Sequence, residues 1–455
     1  HTRLYQCDWS SDVCSSDLVT VNAGTLAVTG GGGFPNPSVV AVNNTGILDI
    51  SGVSGAGITI YALSGNSSSA IVRMGGKVLT TQSSQSSSYA GTLESNASGG
   101  LVLNTSSGTT LTLTGNSVNF NGTLSILNAS RTLKIGGSGS LGNVGNISLN
   151  GTLTYSSSSD QTLAGVISGT GVLTKDTSTT STMILTGTNT YTGTITITTG
   201  TMQIGNGGTS GSLSSSSAIT LAAGGALAFN LASGSSGLSF SNTITATAGA
   251  AINNLKTGSV LTLASSPANV TYGVLADETT ATPAIANISF SATPTFSTNT
   301  INVVTTGYQS SFSTLRFLNW PSGTATGSVT LKMNGTTVTS GSSAAGGQLS
   351  FVSSMGGVMG PGYFWYVTNN GTVTASTTNT SALLQASSMA FSNTSIIDIV
   401  PGYTLTFSGV ISGTGTLSIG GGGTVLLSAA NTYSGTLTAN AGILKVGTTT
   451  ALGTG

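Results

Sequence analysis

One short unit recurs along this chain. A glycine, often preceded by Asn or Ala, is followed by four to six residues in which apolar side chains alternate with Thr or Ser. Ala23-Gly24-Thr25-Leu26-Ala27-Val28, Asn121-Gly122-Thr123-Leu124-Ser125-Ile126 and Asn150-Gly151-Thr152-Leu153-Thr154-Tyr155 are examples; Thr109 to Thr114 and Gly193 to Thr198 follow the same rule. Alternation with a period of two marks a strand with one buried face, and no stretch shows the 3.6-residue period of a helix. Glycine is expected between strands because it accepts a positive φ or a tight bend. The units return roughly every 20–30 residues, the spacing of solenoid repeats. This predicts an all-β chain folded as an elongated parallel β-helix, a solenoid whose coils stack about 4.8 Å apart. Leu, Ile and Val would fill the interior, and Thr, Ser and Asn would form ladders outside.

Charge is nearly absent. The 455 residues include ten Lys and Arg, ten Asp and Glu, and 66 Gly. An ordinary soluble domain is roughly 25% charged; this chain is 4% charged with a net charge of zero. Disorder through self-repulsion is therefore excluded. Phosphate recognition needs clustered Lys and Arg, so no nucleic acid partner is expected. The charge-free run from Thr177 to Leu255 lacks the roughly 18 consecutive apolar residues of a membrane span, so no membrane insertion is expected.

Residues 1–18, HTRLYQCDWSSDVCSSDL, differ from everything downstream. They hold both cysteines, Cys7 and Cys14, and the single histidine. The string resembles translated sequencing-adapter read-through and is read as non-native; the alternative is a genuine extension whose two cysteines pair. It has no apolar core, so it is not a signal peptide. Beyond Leu18 there is no Cys or His, which removes thiolate nucleophiles, histidine bases and Cys/His zinc sites. No cofactor and no metal are expected.

A longer repeat overlies the short one. Its first copy contains Gly165-Val-Ile-Ser-Gly-Thr-Gly171-Val-Leu173, then Leu185-Thr-Gly-Thr-Asn189-Thr-Tyr191-Thr-Gly193, then Thr199 to Gly205. Its second contains Gly409-Val-Ile-Ser-Gly-Thr-Gly415-Thr-Leu417, then Leu427-Ser-Ala-Ala-Asn431-Thr-Tyr433-Ser-Gly435, then Ala441 to Gly447. Val19 to Val28 matches the end of the same unit. This pattern resembles the autotransporter-associated β-strand repeat, also called the passenger-associated transport repeat, over about a quarter of the chain. The resemblance implies a right-handed β-helix from a bacterial passenger that crosses the outer membrane to the cell surface or medium. It also implies an outer-membrane translocator barrel as partner. None follows within this chain, which stops within a unit at Ala451 to Gly455, so both ends read as truncated.

The resulting layout is a foreign segment 1–18, coils over 19–164, a full repeat over 165–205, divergent coils over 206–408 and a second, cut repeat over 409–455. Four of eight prolines, Pro267, Pro283, Pro294 and Pro321, fall between 267 and 321 in the divergent part and predict a loop excursion or an irregular coil there. Aromatics gather at Tyr308, Phe312, Phe317 and Trp320, and again at Tyr363-Phe364-Trp365-Tyr366.

Chemistry has few candidates. After Leu18 the carboxylates are Asp49, Glu94, Asp160, Asp176, Asp277, Glu278 and Asp398. Glycoside hydrolysis needs two of them facing one cleft about 5–10 Å apart. Asp277 and Glu278 are adjacent, would point to opposite faces of a strand, and read as solvated loop charges. The runs Gly30–Gly33 and Gly420–Gly423 lack the Lys-Ser/Thr and the helix of a phosphate loop, and read as turns. Tyr363 and Trp365 would share one face of a strand. They and Trp320 are the candidate ligand contacts, against a plainer reading as core or cap packing. Asn189, Tyr191 and Gly193, with Asn431, Tyr433 and Gly435, are expected to be structural, Tyr packed inward and Asn bonded at a turn.

The leading expectation is a non-enzymatic passenger segment of an exported bacterial surface protein, a stalk that supports secretion and, by contact with glycan or a host or cell surface, adhesion. A carbohydrate-binding adhesin and a β-helical polysaccharide-degrading enzyme are the alternatives.

Overall fold

The computed structural model describes residues 18–454 except 35–37, 106, 278–283, 293, 307–312, 320–325, 334–335, 339–347, 354–361, 367–372, 378–382, 387–388, 391–394, 399–403, 408 and 421–422; several strands between 276 and 420 are described by their backbone alone. The chain forms two compact units. One runs to Leu231 and adds Asn242–Ala250; the other holds Ala232–Ser241 and the residues from Ala251 onward. The fold is all-β, with parallel strands stacked as a β-solenoid, the class that the repeat predicts. No α-helix occurs among the described residues; one 3-10 turn spans Ser236–Leu238.

In the first unit each coil contributes strands to several parallel sheets. One of these sheets has eight strands, from Ser87–Tyr89 through Thr110–Leu113, Thr132–Ile135, Thr152–Tyr155, Val172–Lys175, Thr194–Ile197 and Ile219–Leu221 to Ile244–Ala246. Every neighbour is parallel and one coil away, with Thr132 beside Thr152, Val172 and Thr194 in turn. The alternation explains the register. In Thr152–Tyr155, Leu153 and Tyr155 are buried while Thr152 and Thr154 are half-exposed. A slip of one residue would turn every Leu outward, so burial fixes the pairing. Leu111, Leu133, Leu153, Leu173 and Ile195 form one continuous interior stack. Full burial of each contributes about 1.5–3 kcal/mol.

The outer positions of the same sheet carry Ser88, Thr112, Lys134, Thr154, Thr174, Thr196, Thr220 and Thr245 in adjacent coils. Seven of these eight are hydroxyl residues, which keep a nearly uncharged surface hydrated. Asparagines bridge coils at corners: Asn128 Nδ2 donates to Asn104 Oδ1 at 3.2 Å, and Asn143 Nδ2 to Asn121 Oδ1 at 3.3 Å.

The second unit begins and ends in the same parallel style. Val260–Leu263 pairs with Asn287–Phe290, and near the end Thr404–Phe407, Thr424–Leu427 and Ile443–Val446 stack in order. Its interior holds an edge-to-face cluster of Tyr272, Phe290 and Phe296, with ring centroids 5.5, 6.5 and 6.0 Å apart. Between these parts the pairing changes. Ser313–Asn319 with Gln348–Ser353, the latter with Gly362–Tyr366, and that strand with Val373–Thr377 are all antiparallel. The connections at 354–361 and 367–372 are too short for a parallel return, which needs a dozen or more residues.

Candidate functional site

The motif of the longer repeat folds into a corner that ties successive coils together. Asn189 and Tyr191 are buried, at 4% and 1% exposure. Asn189 Oδ1 accepts the Ile167 N–H of the coil below at 2.8 Å. Its Nδ2 donates to the Gly187 carbonyl in its own coil at 3.1 Å and to the Ser212 carbonyl of the coil above at 2.9 Å. One amide thus joins three coils where the strand ladder is interrupted. The Tyr191 hydroxyl lies 2.6 Å from the Gly171 carbonyl below and 2.8 Å from the Thr194 carbonyl of its own turn. Burial pushes its phenol well above the ordinary tyrosine range, partly opposed by backbone hydrogen bonding.

The second copy has the same wiring. Asn431 Oδ1 accepts the Ile411 N–H at 2.7 Å, and its Nδ2 donates to the Ala451 carbonyl. The Tyr433 hydroxyl contacts the Gly415 carbonyl, and lies 3.0 Å from the Thr436 carbonyl. The two copies are far apart in sequence, so this agreement follows from the motif itself.

Glycine in the motif has a different cause from the bend expected of it. A Cβ on Gly193 would lie 1.9 Å from the Gly171 carbonyl oxygen, and one on Gly171 would lie 1.9 Å from that of Gly151. Gly435 is tighter still, at 1.7 Å from the Gly415 oxygen. None of these three has a positive φ. The coils approach so closely at this corner that only a hydrogen fits. Positive φ does account for others, such as Gly200 at +76°.

Two related corners lie outside the repeat signature. Tyr89 and Phe120 are fully buried, each two residues before a glycine. A Cβ on Gly91 would meet the Ala70 oxygen at 2.4 Å, and one on Gly122 the Gly99 oxygen at 2.4 Å. Ser117 Oγ accepts the buried Leu93 N–H at 3.0 Å, the task that Asn189 performs for Ile167. The aromatic-x-Gly-Thr-Leu spacing shared by Tyr89 and Phe120 is the sequence signal for these corners.

Charged groups are few, and several are engaged. Asp49, Arg73 and Glu94 stand side by side in adjacent coils. Arg73 Nε is 3.0 Å from Glu94 Oε2, and its Nη1 is 3.6 Å from Asp49 Oδ2. Partial burial works to raise the Asp49 carboxyl, but Ser51 and Arg73 outweigh it and hold the group below its ordinary range. Lys175 is fully buried, and its Nζ donates to the Asp176, Ser178 and Thr199 carbonyls at 3.2, 3.3 and 3.4 Å. Burial lowers its pKa, against the opposing pull of Asp176 and Asp160.

The backbone of Tyr363 and Trp365 lies in the antiparallel strand Gly362–Tyr366, whereas Trp320 and Glu278 lie outside the described residues. Among the described residues there is no cluster of three His, Cys, Asp or Glu able to hold a metal, and no helix long and apolar enough to cross a membrane. No family model, curated protein or solved structure matches this chain.

Proposed function

We propose that this chain is a non-enzymatic scaffold segment of an exported bacterial surface protein, a β-helical stalk of the kind that its resemblance to autotransporter-associated repeats implies. The observation that carries the reading is the three-coil Asn staple with its glycine contact, present at Asn189–Gly193 and again at Asn431–Gly435. Each coil completes the hydrogen bonds of its predecessor, so folding adds coils in order, and coil-by-coil folding outside the cell would resist backsliding during export. Arg73 lies between Asp49 and Glu94 and binds both, a poor environment for the raised-pKa acid that glycoside hydrolysis needs.

The test is to join the chain to a translocator barrel and measure protease-accessible protein at the surface of a Gram-negative host. Surface display is expected, with a fall of severalfold for Gly193→Ala. Equal display of the two forms would remove the coil-by-coil mechanism, and no display of either would remove the passenger assignment. A second reading is adhesion through the aromatic strand Gly362–Tyr366, which sits where pairing leaves the coil pattern. A glycan array on which Trp365→Ala matches the parent chain would end that reading.

A further inference from the structure

Arg131 precedes the strand Thr132–Ile135, at the corner where the next coils carry Gly151, Gly171 and Gly193. Its side chain is 0% exposed. Nη1 donates to Thr109 Oγ1 and, two coils below, to the Ser83 carbonyl at 3.2 Å. Nε and Nη2 are buried and donate to no described protein atom. These two carry the parallel N–H pair along one edge of the guanidinium, the edge that grips a carboxylate with two bonds. The strand ends that flank the turn containing Ser83 hold two more buried groups without a partner, Thr81 Oγ1 and Ser87 Oγ. One coil above, those interior positions are Leu103 and Leu111.

A guanidinium keeps its proton in a protein, so it cannot relieve burial as a lysine does. A buried charge left unanswered is strongly destabilising. The described carboxylates of this unit are committed elsewhere: Asp49 and Glu94 to Arg73, Asp160 to the Thr182 N–H at 2.7 Å, and Asp176 to the Ser156 and Thr177 hydroxyls. Lys175, also fully buried, has three carbonyl partners; Arg131 has one carbonyl and one hydroxyl. The unpartnered groups at this corner are the Nε and Nη2 nitrogens, with three N–H between them, and two hydroxyls, all able to donate. A water molecule could donate to the two hydroxyls but would leave the guanidinium charge unanswered; a monatomic anion accepts from all these groups and neutralises it.

We propose that Arg131, Thr81 and Ser87 form an internal binding site for one small monovalent inorganic anion, chloride in ordinary media. The ion would neutralise the interior guanidinium and lock the coil of Thr81–Ser87 to that of Arg131.

Thermal unfolding in sodium chloride and in sodium gluconate at equal ionic strength tests this. Chloride and bromide are expected to raise the midpoint with a saturable dependence that gluconate lacks. Arg131→Met, which keeps the volume and drops the charge, is expected to lose the difference between salts. Thr81→Val with Ser87→Ala, which leaves Arg131 in place, is expected to weaken the chloride dependence severalfold. Should the Met variant not fold, bromide-soaked crystals of the parent protein decide. An anomalous peak within hydrogen-bonding reach of Nε and Nη2 supports the site. Identical midpoints in the two salts, a chloride effect that survives in Arg131→Met, or ordered water without anomalous signal beside Arg131 each overturns it.

Discussion

Asn189 joins three coils through one side chain, so its loss is felt in all three. In Asn189→Ala the Ile167 N–H loses its buried acceptor, which costs about 1–3 kcal/mol, while the Ser212 carbonyl loses one of two bonds and keeps the backbone N–H of residue 189. The expected result is a midpoint clearly below that of the parent in chemical denaturation; an unchanged midpoint would show that the corner is solvated. Gly193→Ala is expected to be at least as damaging, about 3 kcal/mol or more, because its methyl would lie 1.9 Å from a backbone oxygen that has no room to retreat. Thr174→Ala, on the outer ladder, is expected to shift stability by no more than about 0.5 kcal/mol. The shared wiring of Asn189 and Asn431 has a signal in the sequence because the motif recurs intact. The steric role of Gly193 was not legible there, since a glycine read along one coil reveals nothing of the oxygen in the coil beneath it. Arg131 was equally hidden, because nothing local separates an inward arginine from an outward one.

Strands in this chain are specified by their neighbours one coil away more than by their own propensity. Deleting residues 172–193 removes one coil and places Gly171 directly before Thr194, which already shares a register position with Val172. The shortened protein is expected to fold cooperatively, with a parallel β spectrum and a modestly lower midpoint. Deleting residues 172–194 instead shifts the strand by one, turns Ile195 and Ile197 outward, and is expected to yield aggregated or molten material. Circular dichroism and size-exclusion chromatography separate the two outcomes. Alternation alone made the coils legible over most of the first unit. In the second, the same signal held for Val260–Leu263 and Thr424–Leu427, but it could not foretell antiparallel pairing at Gly362–Tyr366. Strand pattern carries no direction, and there only the shortness of the connections does.

Across the whole chain, burial and neutral hydrogen bonds supply most of the stabilisation. The ion pairs among the described residues share the single cation Arg73. Raising ionic strength with sodium gluconate is therefore expected to leave the unfolding midpoint nearly unchanged, because surface pairs of this kind contribute at most about 1 kcal/mol. The response to pH is expected to be lopsided. Tyr89, Tyr191 and Tyr272 have phenols held protonated by burial, with pKa values raised above the unfolded value of about 10. Their stabilisation is complete below about pH 10 and is lost as pH rises beyond it. On the acid side Asp49, lowered in the folded state, contributes above about pH 4 and loses that contribution as pH falls further. A scan of midpoint against pH should show a broad plateau and a steep alkaline edge; a steep loss near pH 6 would contradict this balance.

The amide of Asn189 also has a mechanical meaning. Tension applied along the stacking direction meets parallel ladders in an unzipping geometry, where bonds at the last coil carry the load and fail one after another. Asn189 and Asn431 each clasp the coil below and the coil above, so a separating coil must break an interior bond together with its edge ladder. Pulled along its own stacking direction, each unit should therefore yield in steps, with a force peak at the coil that carries the staple and softer extension elsewhere.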